Sequence, residues 1–468
     1  MTAPSWRPLV ARLPDDFEFG VATSAAQIEG STDVDGRGRS IWDVFAAQPG
    51  ATRGGDTPEV ACDHYVRFPE DVRLIAELGV DRYRFSIAWP RIQPTGTGSP
   101  SQRGLDFYDR LVDELLAASV TPDVTLFHWD LPQALEDLGG WPERDTAYRF
   151  AEYAGHVMDR LGDRVHRWMT MNEPLSAAGA GYGDLGQHAP GRRLGHGALA
   201  AVHHMLLGHG LAVDSLRSRS ARDEIGIVLN PPPVRPLTDS DDDRQAADRL
   251  HTSSVLLYTE PLLRGSYGQA VTDLYAPISD FSFVRDGDLP LISSPADFLG
   301  VNYYFPWTVT AAPMAPPESR VMNDVGARIV DTPGSENTSI GWAIKPQAFT
   351  ELLTWLDEEY RGVLPPVVIT ENGSAWDFDV VDERGRCDDP RRIDYLASHL
   401  DAVCDAIDVG VDVRGYYAWS LMDNFEWADG YAPRFGLVHV DYATQRRTPK
   451  MSYGWLQALL LERRSAAS

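Results

Sequence analysis

Cysteine is scarce: Cys62, Cys387 and Cys404 are the only three in 468 residues. An odd, sparse set builds no disulfide framework, so a reducing cytoplasm is the expected compartment. No run of ~18 apolar residues occurs, so no membrane-spanning helix is expected. The stretch 1–12 holds Pro and Trp and lacks the apolar core of a signal peptide. Positive charge is short as well, with 42 Lys and Arg against 68 Asp and Glu and a net charge of −26. Nucleic acid and anionic membranes need a basic footprint, so both are excluded as partners. A strongly anionic substrate is disfavoured on the same ground. No glycine-rich phosphate loop follows the first strand, so no nucleotide cofactor is expected. Metal-ligand spacing is missing too. Cys62 and His64 are two apart on an expected loop without a second pair. His203, His204 and His209 sit on an amphipathic helix without carboxylates at ligand spacing. No metal and no other cofactor is expected.

What is present is ordinary in bulk, 43% hydrophobic and 24% charged, but rich in rings, with 13 Trp and 18 Tyr. Aromatic-rich clefts suit ligands with flat apolar faces, sugars included, although core packing is the commoner use. Short apolar runs suited to buried strands fall at 17–21, 82–87, 123–127, 167–171, 224–229, 298–302, 367–370 and 416–419. Helical periodicity lies between most of them, at 70–78, 105–118, 149–160, 197–216, 246–258, 347–359 and 393–407. Eight alternations predict a single (β/α)8 TIM barrel over 1–468, with long βα loops forming the active-site mouth. A doubly wound open sheet is the alternative. The ends, 1–14 and 462–468, are expected to be flexible. Two long insertions, 30–60 and 310–339, follow strands and fall on the mouth side, where long loops serve function. The acidic run 239–243 is expected to be a solvated helix start.

Two glutamates stand out. Pro365-Pro366-Val367-Val368-Ile369-Thr370-Glu371-Asn372-Gly373 reads as a buried strand with Glu371 at its C-terminal end and an Asn-Gly turn beyond. Trp168-Met169-Thr170-Met171-Asn172-Glu173-Pro174 places Glu173 at the tip of another. By count Glu173 follows the fourth strand and Glu371 the seventh. Catalytic groups of barrels project from that end. A pair of carboxyls across one mouth is what glycoside hydrolysis requires, at ~5–5.5 Å for retention and ~6.5–9.5 Å for inversion.

These stretches resemble family 1 glycoside hydrolases, the β-glucosidase family. Asn172-Glu173-Pro174 matches the family's acid/base motif. Ile369-Thr370-Glu371-Asn372-Gly373 matches its nucleophile motif. The run from Phe19 to Gly30, through Ala25-Ala26-Gln27-Ile28-Glu29, matches its N-terminal signature, and the likeness extends over 17–460. The resemblance implies retention through a covalent glycosyl-enzyme, with Glu371 as nucleophile and Glu173 as acid/base. It implies catalytic support from Arg84, Asn172, Asn302 and Tyr304, with Tyr303 the adjacent competitor for the tyrosine's role. It implies sugar binding by Gln27, His128, Trp129, Asn172, Trp419, Glu426, Trp427 and Phe435. Glu426 is absent from the branch that takes 6-phosphorylated sugars, and Glu173 is glutamine in the thioglucosidase branch, so an unphosphorylated O-glycoside is expected. Departures are Leu175, where many members carry tryptophan, Val66, and the proline-rich run Asn230-Pro231-Pro232-Pro233. Leu175 bears on the leaving-group side.

The expected activity is that of an exo-acting β-glucosidase on short β-linked oligosaccharides or aryl and alkyl β-glycosides. β-Galactosidase or β-fucosidase side activity is expected with it, and the partner is that small-molecule substrate. A transglycosidase sharing the intermediate, or a non-catalytic carbohydrate- or partner-binding barrel, are the alternatives.

Overall fold

Eight parallel strands close into a barrel, each beside its neighbour in sequence: β1 Glu18–Ala22, β2 Arg82–Ser86, β3 Thr121–Phe127, β4 Arg167–Asn172, β5 Glu224–Leu229, β6 Phe298–Asn302, β7 Val367–Asn372 and β8 Val413–Trp419. The structure is a computed structural model and describes residues 7–183, 188–377 and 379–467. It is the (β/α)8 barrel rather than the open sheet, because β1 pairs with both β2 and β8. All eight expected strands are present, with bounds that differ by up to three residues. The largest change is at β8, where Val413-Arg414-Gly415 precedes the apolar run. β4, β6 and β7 are buried at every position. Sheets covered on both faces read as continuous apolar runs, which is why these segments were legible.

The helices supply the outer layer. Gln102–Ala117 buries Leu105, Tyr108, Leu111, Val112 and Leu115 along one stripe, and Ser101 caps it by accepting from the Gly104 N–H. His196–Arg217 departs from the expected amphipathic pattern. It is buried nearly all round, because it packs against Asp145–Leu161 and Asp288–Ile292. Its histidines are held inside the protein: His203 by Asp288 and Tyr267, His204 by the Trp141 carbonyl, and His209 by Thr170. His64 opens the helix His64–Leu78 instead of lying on a loop, and its Nδ1 meets Asp71 at 2.8 Å. The acidic run does start a helix, Asp241–His251, but Asp243 is buried and accepts from Thr310 and the Ala311 N–H.

Of the ends expected to be flexible, residues 1–6 and 468 lie outside the described residues, and the rest carries structure. Arg7–Arg12 is helical, Leu9 and Leu13 are buried, and Arg12 reaches Asp401, Asp405 and Asp408 on the helix Pro390–Asp408. The last helix runs Met451–Ala467, and Arg463 donates to the carbonyls of Pro14, Asp15 and Phe17. Arg12 and Arg463 therefore tie the first and last described helices to the rest of the fold.

Two features set the mouth. The register shifts recorded in the barrel lie where β4 meets β5, where β6 meets β7 and where β7 meets β8, so β4 or β7 takes part in each. Such irregularities re-aim side chains at a barrel rim. Beneath the loops that follow β7 and β8 lies a buried ionic cluster. Lys450 Nζ donates to Asp379 at 2.6 Å and to Asp423 at 2.7 Å, while Arg434 reaches Asp423 and Arg392 reaches Asp389 and Asp379. These bonds tie the segment that carries Glu426 and Phe435 to the barrel wall. A buried cation removed from such a cluster leaves carboxylates uncompensated. Lys450→Met is therefore expected to lower stability by about 3–5 kcal/mol, checked by urea unfolding of both chains.

Candidate active site

Above the barrel opens a cavity of about 610 Å³. Strand ends supply its floor: Glu173 just after β4, Asn302 at the end of β6, Glu371 in β7 and Trp419 at the end of β8. The insertion 30–60 contributes Gly50, Ala51, Thr52 and Arg53 to the wall, as a mouth loop should. The insertion 310–339 does not line it. That segment pairs Trp307–Ala311 with Ala327–Val330 in a small three-stranded sheet beside the barrel. Gly373 was read as a turn residue, but its role is close approach. A Cβ there would lie 1.7 Å from the Trp419 carbonyl oxygen. Asn372 is likewise no turn residue. It is buried in β7, donating to the Tyr303 carbonyl and accepting from Tyr416.

Arg84 organises the floor. It is fully buried on β2. Its Nη1 donates to Glu371 Oε1 at 2.7 Å and to the Thr370 carbonyl at 3.0 Å. Its Nη2 donates to Asn172 Oδ1 at 2.7 Å, and its Nε to Thr125 Oγ1 at 3.0 Å. A guanidinium only donates, so the oxygen of Asn172 must face it. The group that shares that oxygen, at 3.1 Å, is then the Nδ2 of Asn302. The same Nδ2 donates to Glu173 Oε1 at 2.6 Å. Thr370 fixes the other side of the amide by donating to Asn302 Oδ1 at 2.7 Å. One arginine thus orients both glutamates, Glu371 directly and Glu173 through two asparagines. Tyr304, not Tyr303, completes the arrangement by donating to Glu371 Oε2 at 2.7 Å. Tyr303 turns away, packs on Phe349 and donates to the Lys345 carbonyl.

The two carboxyls are therefore unequal. Burial and the charge of Glu371 push Glu173 up to about 8, against its hydrogen bonds from Asn302 and Ser176. Burial also raises Glu371, but Arg84 and Tyr304 oppose it directly. The cation and the phenol thus lie on Glu371, while the hydrogen bonds to Glu173 come from neutral groups. Glu426 is pushed well above the carboxylate range by burial and by Asp429, Glu371 and Glu173.

The residues expected to hold a sugar divide into two groups. His128, Trp129, Trp419, Glu426, Trp427 and Phe435 line the cavity. His128 lies nearly parallel to Trp419 and Trp427, at 18° and 19°. Burial and the Arg84 charge hold its imidazole neutral. Trp129 offers a ring face, because its Nε1 donates to the Asn172 carbonyl at 2.9 Å. Gln27 and Asn172 lie behind the wall instead, fully buried. Gln27 accepts from Ser24 and donates to Asn424, the Phe425 carbonyl and Glu426, so it positions the Glu426 loop. Asn172 is shared among Arg84, Asn302 and His128. Trp129, Glu173 and Trp427 have positive φ of 74°, 48° and 49°. Each such non-glycine residue costs about 1–3 kcal/mol, and such residues collect at functional sites.

Several participants were not foreseen. Ser176 donates to Glu173 Oε2 at 2.8 Å, and Asn230 donates to Ser176 at 3.1 Å. Trp342 packs on Tyr304 and Phe435, and His188 packs on Trp129. Ser176 follows the acid/base motif by three residues, the one positional signal available. Trp342 and His188 arrive from distant loops with none.

Among the described residues no cluster of three His, Cys, Asp or Glu is placed to hold a metal. A closed parallel barrel with two unlike carboxyls across an aromatic-lined cavity defines a glycoside-hydrolase type of site. The comparisons identify the family: the model for glycosyl hydrolase family 1 matches residues 9–464, and the chain belongs to that family. β-Glucosidase A of Thermotoga maritima is 44% identical over 95% of this chain and 97% of its own. The bifunctional β-D-glucosidase/β-D-fucosidase of Bifidobacterium breve is 44% identical over 96% and 98%. The crystal structure of the psychrophilic β-glucosidase of Micrococcus antarcticus superposes with a TM-score of 0.92 at 44% identity, over 99% of this chain and 100% of that one.

Removing one bond to an ionised Glu371 should raise its pKa. Tyr304→Phe is expected to move the acidic limb of the kcat/KM profile upward by about one pH unit. The check is a pH series on an aryl β-glucoside.

Proposed function

We propose that this chain is an exo-acting β-glucosidase in which Glu371 is the nucleophile and Glu173 the acid/base. The observation that carries the reading is the unequal holding of the two carboxyls: Arg84 and Tyr304 on Glu371, amide and hydroxyl groups on Glu173. Enzymes of family 1 retain the anomeric configuration. In the first step Glu371 attacks the anomeric carbon, and Glu173 gives its proton to the departing oxygen. The bond to the leaving group breaks as the glycosyl ester forms. Esterification removes the charge of Glu371, which is the second cause raising Glu173. Glu173 then ionises more readily and takes a proton from the incoming water. Water attacks the anomeric carbon, frees Glu371 and leaves the sugar with its original configuration.

The substrate follows from the cavity. Flat rings at Trp419 and Trp427 suit the apolar face of a pyranose, and Glu426 suits its hydroxyls. Among the described lining residues four are acidic and Arg53 is the one arginine, a balance that suits an unphosphorylated sugar. Short β-linked oligosaccharides and aryl or alkyl β-glucosides fit, and β-fucosides are a supported side activity, given the bifunctional relative. Hydrolysis is favoured over transglycosylation and over a non-catalytic role by the glucosidase names of the relatives and by both carboxyls being in place. The three cysteines are free and buried, in keeping with the cytoplasm.

A panel of aryl β-glycosides with the product followed by NMR tests the reading. The β-glucoside should turn over best and release β-glucose first; α-glucose released first would overturn it. Glu371→Gly should abolish turnover, with azide restoring activity as the α-glycosyl azide; a β-azide would be incompatible with a nucleophilic Glu371. Glu173→Ala should slow alkyl glycosides by about 10²–10⁴-fold and activated aryl glycosides much less. Equal losses would remove its role as acid.

A further inference from the structure

Glu173 is the one carboxyl in this site that must both give and receive a proton, and its two oxygens are held by different kinds of group. Oε1 receives an N–H from Asn302 at 2.6 Å. That amide is oriented by Thr370 and, through Asn172, by Arg84, so it cannot turn to accept. Oε2 faces the hydroxyl of Ser176 at 2.8 Å. A hydroxyl donates or accepts as required, and its oxygen has two lone pairs. Asn230, just beyond β5, fills one of them at 3.1 Å. The other is left for a proton on Glu173. Ser176 lies in a π-helical turn, Leu175–Ala180, that begins directly after Pro174. Turns of this kind recur at functional sites. The Ala177 N–H closes it back onto the Glu173 carbonyl at 2.9 Å, which brings the hydroxyl under the carboxyl.

We propose that Ser176, held by Asn230, is a positioning residue for Glu173: it seats the transferable proton on Oε2 and stabilises the ionised carboxylate that must follow. The proposal rests on reading Glu173 as the acid/base. With Glu173 protonated, Oε2–H is donated to Ser176 Oγ until a glycosidic oxygen takes its place. The proton then leaves with the aglycone, and the pair of electrons of the broken O–H bond remains on Oε2. The Ser176 O–H turns to donate to that charge. When water attacks, its proton returns to Oε2 and Ser176 reverts to acceptor. Other groups also act on Glu173 across the cavity. They are Glu371 from β7, Arg84 from β2, Tyr304 after β6, and Glu426 after β8. Of the groups that oppose the raised Glu173 pKa, the Asn302 and Ser176 hydrogen bonds rank above the Arg84 charge.

The test is Ser176→Ala, with Ser176→Thr as the conservative control and Asn230→Ala as an independent variant. The Glu173 carboxyl is titrated by 13C NMR with labelled glutamate, and kcat and kcat/KM are measured against pH on an aryl β-glucoside. Loss of a bond to the carboxylate should raise the Glu173 midpoint by about one unit in Ser176→Ala. The basic limb of kcat/KM should move up with it, because glycosylation needs the protonated acid. Where hydrolysis of the glycosyl-enzyme limits the rate, kcat below neutrality should fall about three- to tenfold, because that step needs the base. Ser176→Thr should restore the wild-type limbs, and Asn230→Ala should shift the midpoint the same way by less. An unchanged or lowered midpoint in a folded Ser176→Ala protein, or a threonine variant no better than alanine, would overturn the proposal. If the wild-type chain failed to turn over any aryl β-glycoside, the functional reading would fall instead. The carboxyl titration would still decide whether Ser176 stabilises the ionised carboxylate.

Discussion

A guanidinium sealed inside the barrel floor is the constraint on which the rest of this site depends. Arg84 has no solvent to satisfy it, so its donors must end on protein oxygens: Glu371, the Thr370 carbonyl, Asn172 and Thr125. Because it can only donate, it sets the direction of every amide beyond it. Asn172 must present oxygen, Asn302 must present nitrogen, and Glu173 therefore meets a donor. The charge that opposes the raising of Glu371 and the order that holds Glu173 come from the same side chain. Two functions of the site thus share one buried cause.

The remaining design manages like charges at close quarters. Four acidic side chains, Glu173, Glu371, Glu426 and Asp429, border one cavity, and burial raises all four. Glu371 has a guanidinium hydrogen-bonded to it, and Glu173 does not. That difference favours charge on Glu371 and a proton on Glu173, the kind of inequality on which the proposed roles rest. Left-handed backbone at Trp129, Glu173 and Trp427 has an energetic cost. The buried cluster around Lys450 is the kind of anchor that lets the mouth loops hold such shapes.

Much of the fold could be read along the chain, and the reasons are local. β5 and β6 were bounded to the residue because each holds a short apolar run marked by a polar residue, Glu224 opening β5 and Asn302 closing β6. β8 was read short because Arg414, exposed near its start, interrupts that pattern. The helix His196–Arg217 misled because it is covered on every side, a property of its neighbours. Among the residues expected at the site, those with rings or carboxyls line the cavity. Gln27 and Asn172 were given to the sugar, yet their amides are engaged by protein groups. Which hydroxyl or amide a side chain meets depends on strands far away in sequence. Ser176 and Asn230 were missed for the same reason: they are 54 residues apart and meet only because β4 and β5 are adjacent.

By itself the sequence determined the period, the burial and the order of the strands. It therefore determined the barrel and the ends at which Glu173 and Glu371 emerge, because backbone hydrogen bonding and apolar burial act over short stretches. Tertiary structure alone decided what each carboxyl experiences. Arg84 lies 287 residues from Glu371, and Asn302 lies 129 from Glu173. Proton affinity depends on charges and donors within a few ångströms, and only closure of the barrel brings those groups there.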